Sequence, residues 1–210
     1  MSTTPNVILV DDETDLLKAL SRLLGAEGFQ VACHESAASF LSTPRPVGPA
    51  CLVLDESMPG MAGSELHRQL AQELSHLGVV FLTARGDIPM SVRAIKTGAV
   101  DFLTKPVKDL ELISVIRTAI TKSAELLQKQ FELIGLRKRY SRLTSREKEV
   151  LLHVSRGLPN KHIASLLGLV EQTIKVHRGR VMSKMGAESF AQLVLDAEKL
   201  GLLDSRIKDV

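Results

Sequence analysis

The sequence carries Cys51-Leu52-Val53-Leu54-Asp55, followed by Met58-Pro59-Gly60. A short apolar run bounded by turn residues reads as a buried strand, and this one ends in a carboxylate. Working outward, Val7-Ile8-Leu9-Val10 runs into Asp11-Asp12. Val79-Val80-Phe81-Leu82 runs into Thr83, and Phe102-Leu103-Thr104 runs into Lys105-Pro106. Between these segments lie helical patterns near 14–26, 36–42, 63–75 and 88–97, with another from 109 onward. A further strand-like segment falls at 29–34. Alternating β and α segments predict a doubly wound α/β fold, a five-stranded parallel sheet with helices on both faces. Parallel strands gather their C-terminal ends along one edge, where such sheets place their chemistry. That edge would hold Asp11, Asp12, Asp55, the Thr83 hydroxyl and the Lys105 ammonium. Such a set suits magnesium-assisted phosphoryl transfer to a carboxylate.

At 210 residues the chain accommodates one or two domains. No apolar run approaches the ~20 residues that span a membrane, and Met1-Ser2-Thr3-Thr4-Pro5 lacks the charged and apolar regions of a signal peptide. A cytoplasmic location without membrane contact is expected. Cys33 and Cys51 both lie in strand-like segments and are expected to be buried free thiols. The six histidines show no metal-ligand spacing. Charge is uneven along the chain. Residues 1–122 carry 11 Lys and Arg against 14 Asp and Glu, net −3, whereas residues 123–210 carry 16 against 10, net +6. An acidic first half facing a metal and phosphate donor, and a basic second half facing a polyanion, fit that asymmetry.

Local signals divide the chain further. Thr14, Ser36 and Asp109 read as helix N-caps, and Gly25, Gly28 and Gly98 as helix stops. Past 109, Ile113, Ile116, Ile120, Leu127, Phe131 and Ile134 recur at helical spacing. That stripe either joins two chains in a coiled-coil-like contact or packs within its own chain. After Tyr140 the pattern is all helical. Thr144 or Ser145 caps a helix to about Arg156, Asn160 caps a short helix to Leu167, Glu171–Met185 forms a third, and a fourth runs from Ser189 to about Leu200. A short helix, a Gly-containing turn and a longer helix form a helix-turn-helix. The domains are therefore expected at 1–122 and 141–210, with a helical linker at 123–140.

Asp11, Asp12, Asp55, Met58-Pro59-Gly60, Thr83 and Lys105-Pro106, in this order, resemble the receiver domain of two-component response regulators. Leu143-Thr144-Ser145-Arg146-Glu147-Lys148-Glu149-Val150-Leu151, Gly157-Leu158-Pro159-Asn160-Lys161-His162-Ile163-Ala164, Thr173-Ile174-Lys175-Val176-His177-Arg178 and Lys184-Met185-Gly186-Ala187 resemble LuxR-type helix-turn-helix domains. Together, and with Gly86-Asp87-Ile88-Pro89-Met90 and Gly98-Ala99-Val100-Asp101-Phe102, the chain resembles the FixJ subfamily.

The resemblance implies that Asp55 accepts phosphate from a sensor histidine kinase. Asp12, Asp55 and the backbone carbonyl of Ser57 would bind Mg²⁺, with Asp11 orienting metal-bound water. Lys105 would pair with a phosphoryl oxygen, Thr83 would hydrogen-bond another, and Phe102 would be the aromatic switch residue. A cis Lys105–Pro106 bond is also implied. Ser57 and Arg85 occupy positions that tune phosphate lifetime.

In the second domain a helical wheel places Ile174, Val181 and Met185 toward the core. Gln172, Thr173, Val176, Gly179, Arg180 and Ser183 face the major groove of double-stranded promoter DNA, with Lys175 alongside. Lys161, His177 and Lys184 are candidates for phosphate contact. Arg178 either contacts DNA or forms an internal ion pair. Gly179, where the family often has a larger residue, either permits close approach to DNA or forgoes a contact. A homodimer on phosphorylation is expected, RNA polymerase is an admissible partner, and activation is the direction the family implies. No catalysis is expected beyond the chain's own aspartyl phosphorylation and dephosphorylation. Two competing readings are a phosphorelay protein without DNA affinity and a phosphoester hydrolase. The latter class usually carries an Asp where this chain has Ser57.

Overall fold

The computed structural model describes residues 6–44, 46–70, 76–84 and 95–203. The chain divides into two compact units, Met1–Gln128 and Lys129–Val210. In the first, β1 (Asn6–Val10), β2 (Gln30–His34), β3 (Ala50–Leu54), β4 (Gly78–Thr83) and β5 (Asp101–Thr104) form one sheet. The sheet order is β2-β1-β3-β4-β5, and every described pairing is parallel. Among the described residues, α1 (Thr14–Ala26), α2 (Ala37–Leu41), α3 (Gly63–Leu70) and the part of α4 (Asp109–Ser141) up to Gln128 belong to this unit. The central strands β3 and β4 are buried along their whole length. That is why they read as unbroken apolar runs rather than alternating ones.

Two cores sandwich the sheet. Ile8, Leu52, Leu54, Phe81 and Phe40 lie on one face, and Val7, Leu9, Val53, Val80, Leu112 and Ile116 lie on the other. Ser123 of α4 donates no apolar surface but accepts the Ala50 N–H at 3.0 Å in a buried bond, which anchors the start of β3.

The second unit is helical: the end of α4, then α5 (Ser145–Ser155), α6 (Asn160–Leu167), α7 (Glu171–Met185) and α8 (Phe190–Lys199). Its core gathers Leu136, Leu143, Val150, Leu151, Val154, Ile163, Ile174, Val181, Met185 and Leu193. Gly168 and Gly186 end α6 and α7 in the left-handed conformation, at φ 64° and 68°. A β-carbon is disfavoured there, so both turns call for glycine.

Several local expectations are corrected. Thr14 lies inside α1, and the cap position is Glu13, which makes no side-chain cap bond. Asp109 is the first residue of α4 rather than its cap. Asn160 is likewise the first residue of α6, behind Pro159. Gly25 sits within α1, and the chain reverses at Gly28, φ 86°. Cys33 is exposed, because β2 is an edge strand; Cys51, in the centre of the sheet, is buried. Ser36 caps α2 as expected, and Ser189, expected as the first residue of the last helix, is the cap of α8. Thr144 and Glu147 form a full capping box on α5. Residues 109–141 are one uninterrupted helix, with no break at 122. Along it Ile113 and Ile116 are buried, while Phe131 and Ile134 are 58% and 60% exposed. The helical pattern at 88–97 and Arg85 fall largely or wholly outside the described residues.

Candidate functional site

Register assembles the first site. Val10 pairs with Leu54 across β1 and β3, so Asp11 and Asp55 leave adjacent strands side by side. The ladder continues one step beyond the strands: Asp55 N–H donates to the Val10 carbonyl at 2.9 Å, and Asp11 N–H to that of His34 at 3.1 Å. On the far side, Lys105 N–H donates to the Thr83 carbonyl at 2.8 Å. The Lys105–Pro106 bond is cis.

Lys105 Nζ lies 2.7 Å from Asp11 Oδ2, 2.8 Å from Glu13 Oε1 and 3.2 Å from Asp55 Oδ1. The other oxygen of Asp55, Oδ2, accepts the Ser57 N–H at 2.7 Å. Asp11 and Asp55 are buried, each 4% exposed, whereas Asp12 and Glu13 face solvent. Burial works against the charge of Lys105, but the surrounding carboxylates outweigh it and hold its pKa above the ordinary value. Asp11 has the opposite problem. Burial raises its carboxyl above the usual range, even though Lys105 pulls it down. One ammonium shared among several anions is overcompensated, while each anion is undercompensated.

Thr83 is fully buried at the end of β4. Phe102 is half-buried, packed against the core with its ring 6.3 Å from that of Phe81. Two residues that motif spacing does not reveal shape the loop after Asp55. Glu56 accepts both the N–H and the hydroxyl of Ser64, at 2.8 and 2.7 Å, at the start of α3. Gly63 packs so closely that a Cβ would overlap the Asp55 carbonyl oxygen.

Among the described residues no cage of three or more His, Cys, Asp or Glu side chains is formed for a metal. A magnesium ion that keeps its waters needs only one or two carboxylates. Asp11, Asp12 and Asp55 are hard oxygen donors with a local excess of negative charge, so the residues fit that ion.

The second site is the exposed side of α7. Ile174, Val181 and Met185 are 0%, 1% and 0% exposed, as the wheel predicts. Gln172, Val176, Gly179, Arg180 and Ser183 are exposed, and Thr173 is half-buried. Lys161 and Lys175 are exposed, the latter 3.9 Å from Glu171. Three expected contacts are engaged inward. Arg178 donates to Asn160 Oδ1 at 2.8 Å and lies 5.7 Å from the Phe190 ring centre. Its internal partner is thus a neutral amide and an aromatic face, not an acid. Lys184 pairs with buried Glu147 at 2.7 Å. That ammonium and the Thr144 N–H hold the Glu147 carboxyl below its ordinary value. His177 is half-buried, with Nδ1 enclosed and without a hydrogen-bond partner.

An α/β unit with an acidic strand edge and a helix-turn-helix unit on one chain define a regulator with separate signal-receiving and DNA-binding parts. Residues 7–117 match the family described as response regulator receiver domain, and residues 141–197 match bacterial regulatory proteins of the luxR family. The chain is similar to nodulation protein W of Bradyrhizobium diazoefficiens, 39% identical over 96% of this chain and 88% of that protein. It is similar to the transcriptional regulatory protein FixJ of Rhizobium meliloti, 40% identical over 91% of this chain and 94% of that one. Among solved structures it resembles the response regulator StyR, with 43% identity, a TM-score of 0.78, and coverage of 94% and 100% of the two chains. The chain belongs to the two-component response regulators of the FixJ subfamily, in which a receiver domain precedes a LuxR-type DNA-binding domain. Regulation of transcription is its function at that level.

Proposed function

We propose that phosphorylation of Asp55 by a sensor histidine kinase controls binding of the helix-turn-helix unit to promoter DNA. The observation that carries this reading is the meeting of Asp11, Asp55 and Lys105, which follow β1, β3 and β5 along one edge of the sheet. Asp55 is the nucleophile. Its carboxylate forms a bond to phosphorus as the bond from phosphorus to the kinase histidine breaks. Ser57 N–H and Lys105 orient the two oxygens beforehand, which lowers the entropic cost of the approach. Asp12, Asp55 and the Ser57 carbonyl would hold Mg²⁺, with Asp11 beside them to orient water, and the ion would supply positive charge to offset that building on the phosphoryl oxygens. Lys105 meets one phosphoryl oxygen and Thr83 another, and Phe102 turns with the Thr83 segment.

Gln172, Thr173, Val176 and Arg180 read bases, with Lys161 and Lys175 on phosphates. Phosphorylation favours a homodimer, and two linked half-sites raise affinity because the second contact is effectively intramolecular. The direction is activation, with RNA polymerase as the partner at the promoter. The protein acts in the cytoplasm and on no external substrate. Incubation with acetyl phosphate and Mg²⁺, borohydride reduction and peptide mass spectrometry test the acceptor. Reduction to homoserine at position 55 is expected. Modification elsewhere, or none in the folded protein, would refute it.

A further inference from the structure

Glu56 stands in the chain between Asp55 and Ser57, the two residues of the loop after β3 assigned above to Mg²⁺. It is also tied to α3. Its carbonyl accepts the Gly63 N–H at 3.2 Å, its Oε2 accepts the Ser64 N–H at 2.8 Å, and its Oε1 accepts the Ser64 hydroxyl at 2.7 Å. Gly63 and Ser64 open α3. The first N–H groups of a helix have no partner within it. Ala62, just before α3, accepts the Glu65 and Leu66 N–H groups through its carbonyl but has no side-chain oxygen to offer. Glu56 supplies the missing acceptors from outside the helix, at the end where a carboxylate is favoured.

The same bonds fasten the loop. Glu56 is held at its carbonyl and at both side-chain oxygens, so the peptide units on either side of it have little freedom. One carries the Asp55 carbonyl, against which Gly63 packs with no room for a Cβ. The other carries the Ser57 N–H, which donates to Asp55 Oδ2 at 2.7 Å. A site ordered in advance does not bear the cost of ordering when its ligand binds.

We infer that Glu56 is a positioning residue for the metal: through Ser64 it holds the loop from Asp55 to Ser57 in one conformation before Mg²⁺ binds, and so strengthens that binding. The inference rests on the proposed use of Asp12, Asp55 and the Ser57 carbonyl as ligands.

The test is calorimetric titration of the full chain with Mg²⁺, for the wild type, Glu56→Asp, Ser64→Ala and Ser64→Thr. None of these changes alters the net charge, so a field effect cannot produce the result. Asp is too short to keep both bonds to Ser64, Ala removes the hydroxyl, and Thr retains it. Glu56→Asp and Ser64→Ala are expected to bind Mg²⁺ about two- to tenfold more weakly, the range of a single hydrogen bond, with Ser64→Thr close to wild type. Urea midpoints of the same proteins report stability separately. A bond that serves only the fold would lower the midpoint and leave Mg²⁺ affinity at the wild-type value in both Glu56→Asp and Ser64→Ala. That outcome overturns the inference, as does an equal loss in Ser64→Thr. A folded wild type that binds no Mg²⁺ overturns the ligand assignment itself, whereas a wild type that binds beside variants that bind equally well overturns only the role of Glu56.

Discussion

Lys184 lies on the recognition helix and is basic, yet its geometry gives it structural work. Its ammonium sits 2.7 Å from Glu147 Oε2, the same oxygen that accepts the Thr144 N–H at 2.8 Å in the capping box of α5. Glu147 is 2% exposed. Lys184→Met therefore leaves a buried carboxylate with only its cap bonds. A hydrogen bond between charged groups is worth roughly 1.5–3 kcal/mol. Lys184 is 37% exposed, so solvent screening brings the expected loss to about 1–2 kcal/mol.

Hydrogen exchange read by mass spectrometry on the full chain reports this unit alone. Protection in α5 and α7 should fall by about 5- to 30-fold. Glu147→Gln combined with Lys184→Met should cost less than the two single changes added. The pH dependence has a definite sign. The folded Glu147 carboxyl lies below its unfolded value of 4.5, so its contribution is complete above that value and is lost as pH falls through the folded one. Glu147→Gln should flatten that acid limb. If Lys184 were instead a free phosphate contact, Lys184→Met would leave protection unchanged and reduce the salt slope of DNA binding by about 0.9. That pair of results would rule out a structural role for Lys184.

Gly179→Ala should stabilise the second unit by up to about 1 kcal/mol, because a Cβ there meets nothing within 4 Å; chemical denaturation checks it, and DNA titration of the same variant tells close approach from a forgone contact. Gly63→Ala should destabilise the first unit by about 1–3 kcal/mol and slow labelling by acetyl phosphate, since its Cβ would overlap the Asp55 carbonyl. Burial lowers the pKa of His67 and His76 below 6.5. Their contribution to stability is therefore present above 6.5 and lost as pH falls through the folded values, which urea titrations at pH 7 and pH 5 should detect.

The sheet and its edge were legible because burial on both faces leaves no alternation to misread. Val79-Val80-Phe81-Leu82 could only be a central strand, and the polar residues closing each run mark the edge. The core side of α7 followed from period alone, as Ile174, Val181 and Met185 confirm. Side-chain partnerships were less legible. Asn160 reads as a cap until Arg178 is seen taking its oxygen. Cys33 reads as buried until β2 proves to be an edge strand. Glu13 follows Asp11-Asp12 in the chain, but nothing in spacing marks it as a partner of Lys105, distant in sequence, which reaches it in the fold. Such contacts depend on which long side chain finds which charge in space, and no local pattern encodes that.

The most direct test of the account is the affinity of the full-length protein for genomic DNA fragments in Mg²⁺, with and without beryllofluoride, for the wild type and Asp55→Asn. The account predicts tighter, sequence-selective binding with the mimic in the wild type and no response in Asp55→Asn. An equal response in Asp55→Asn, or selective wild-type binding indifferent to the mimic, would contradict it.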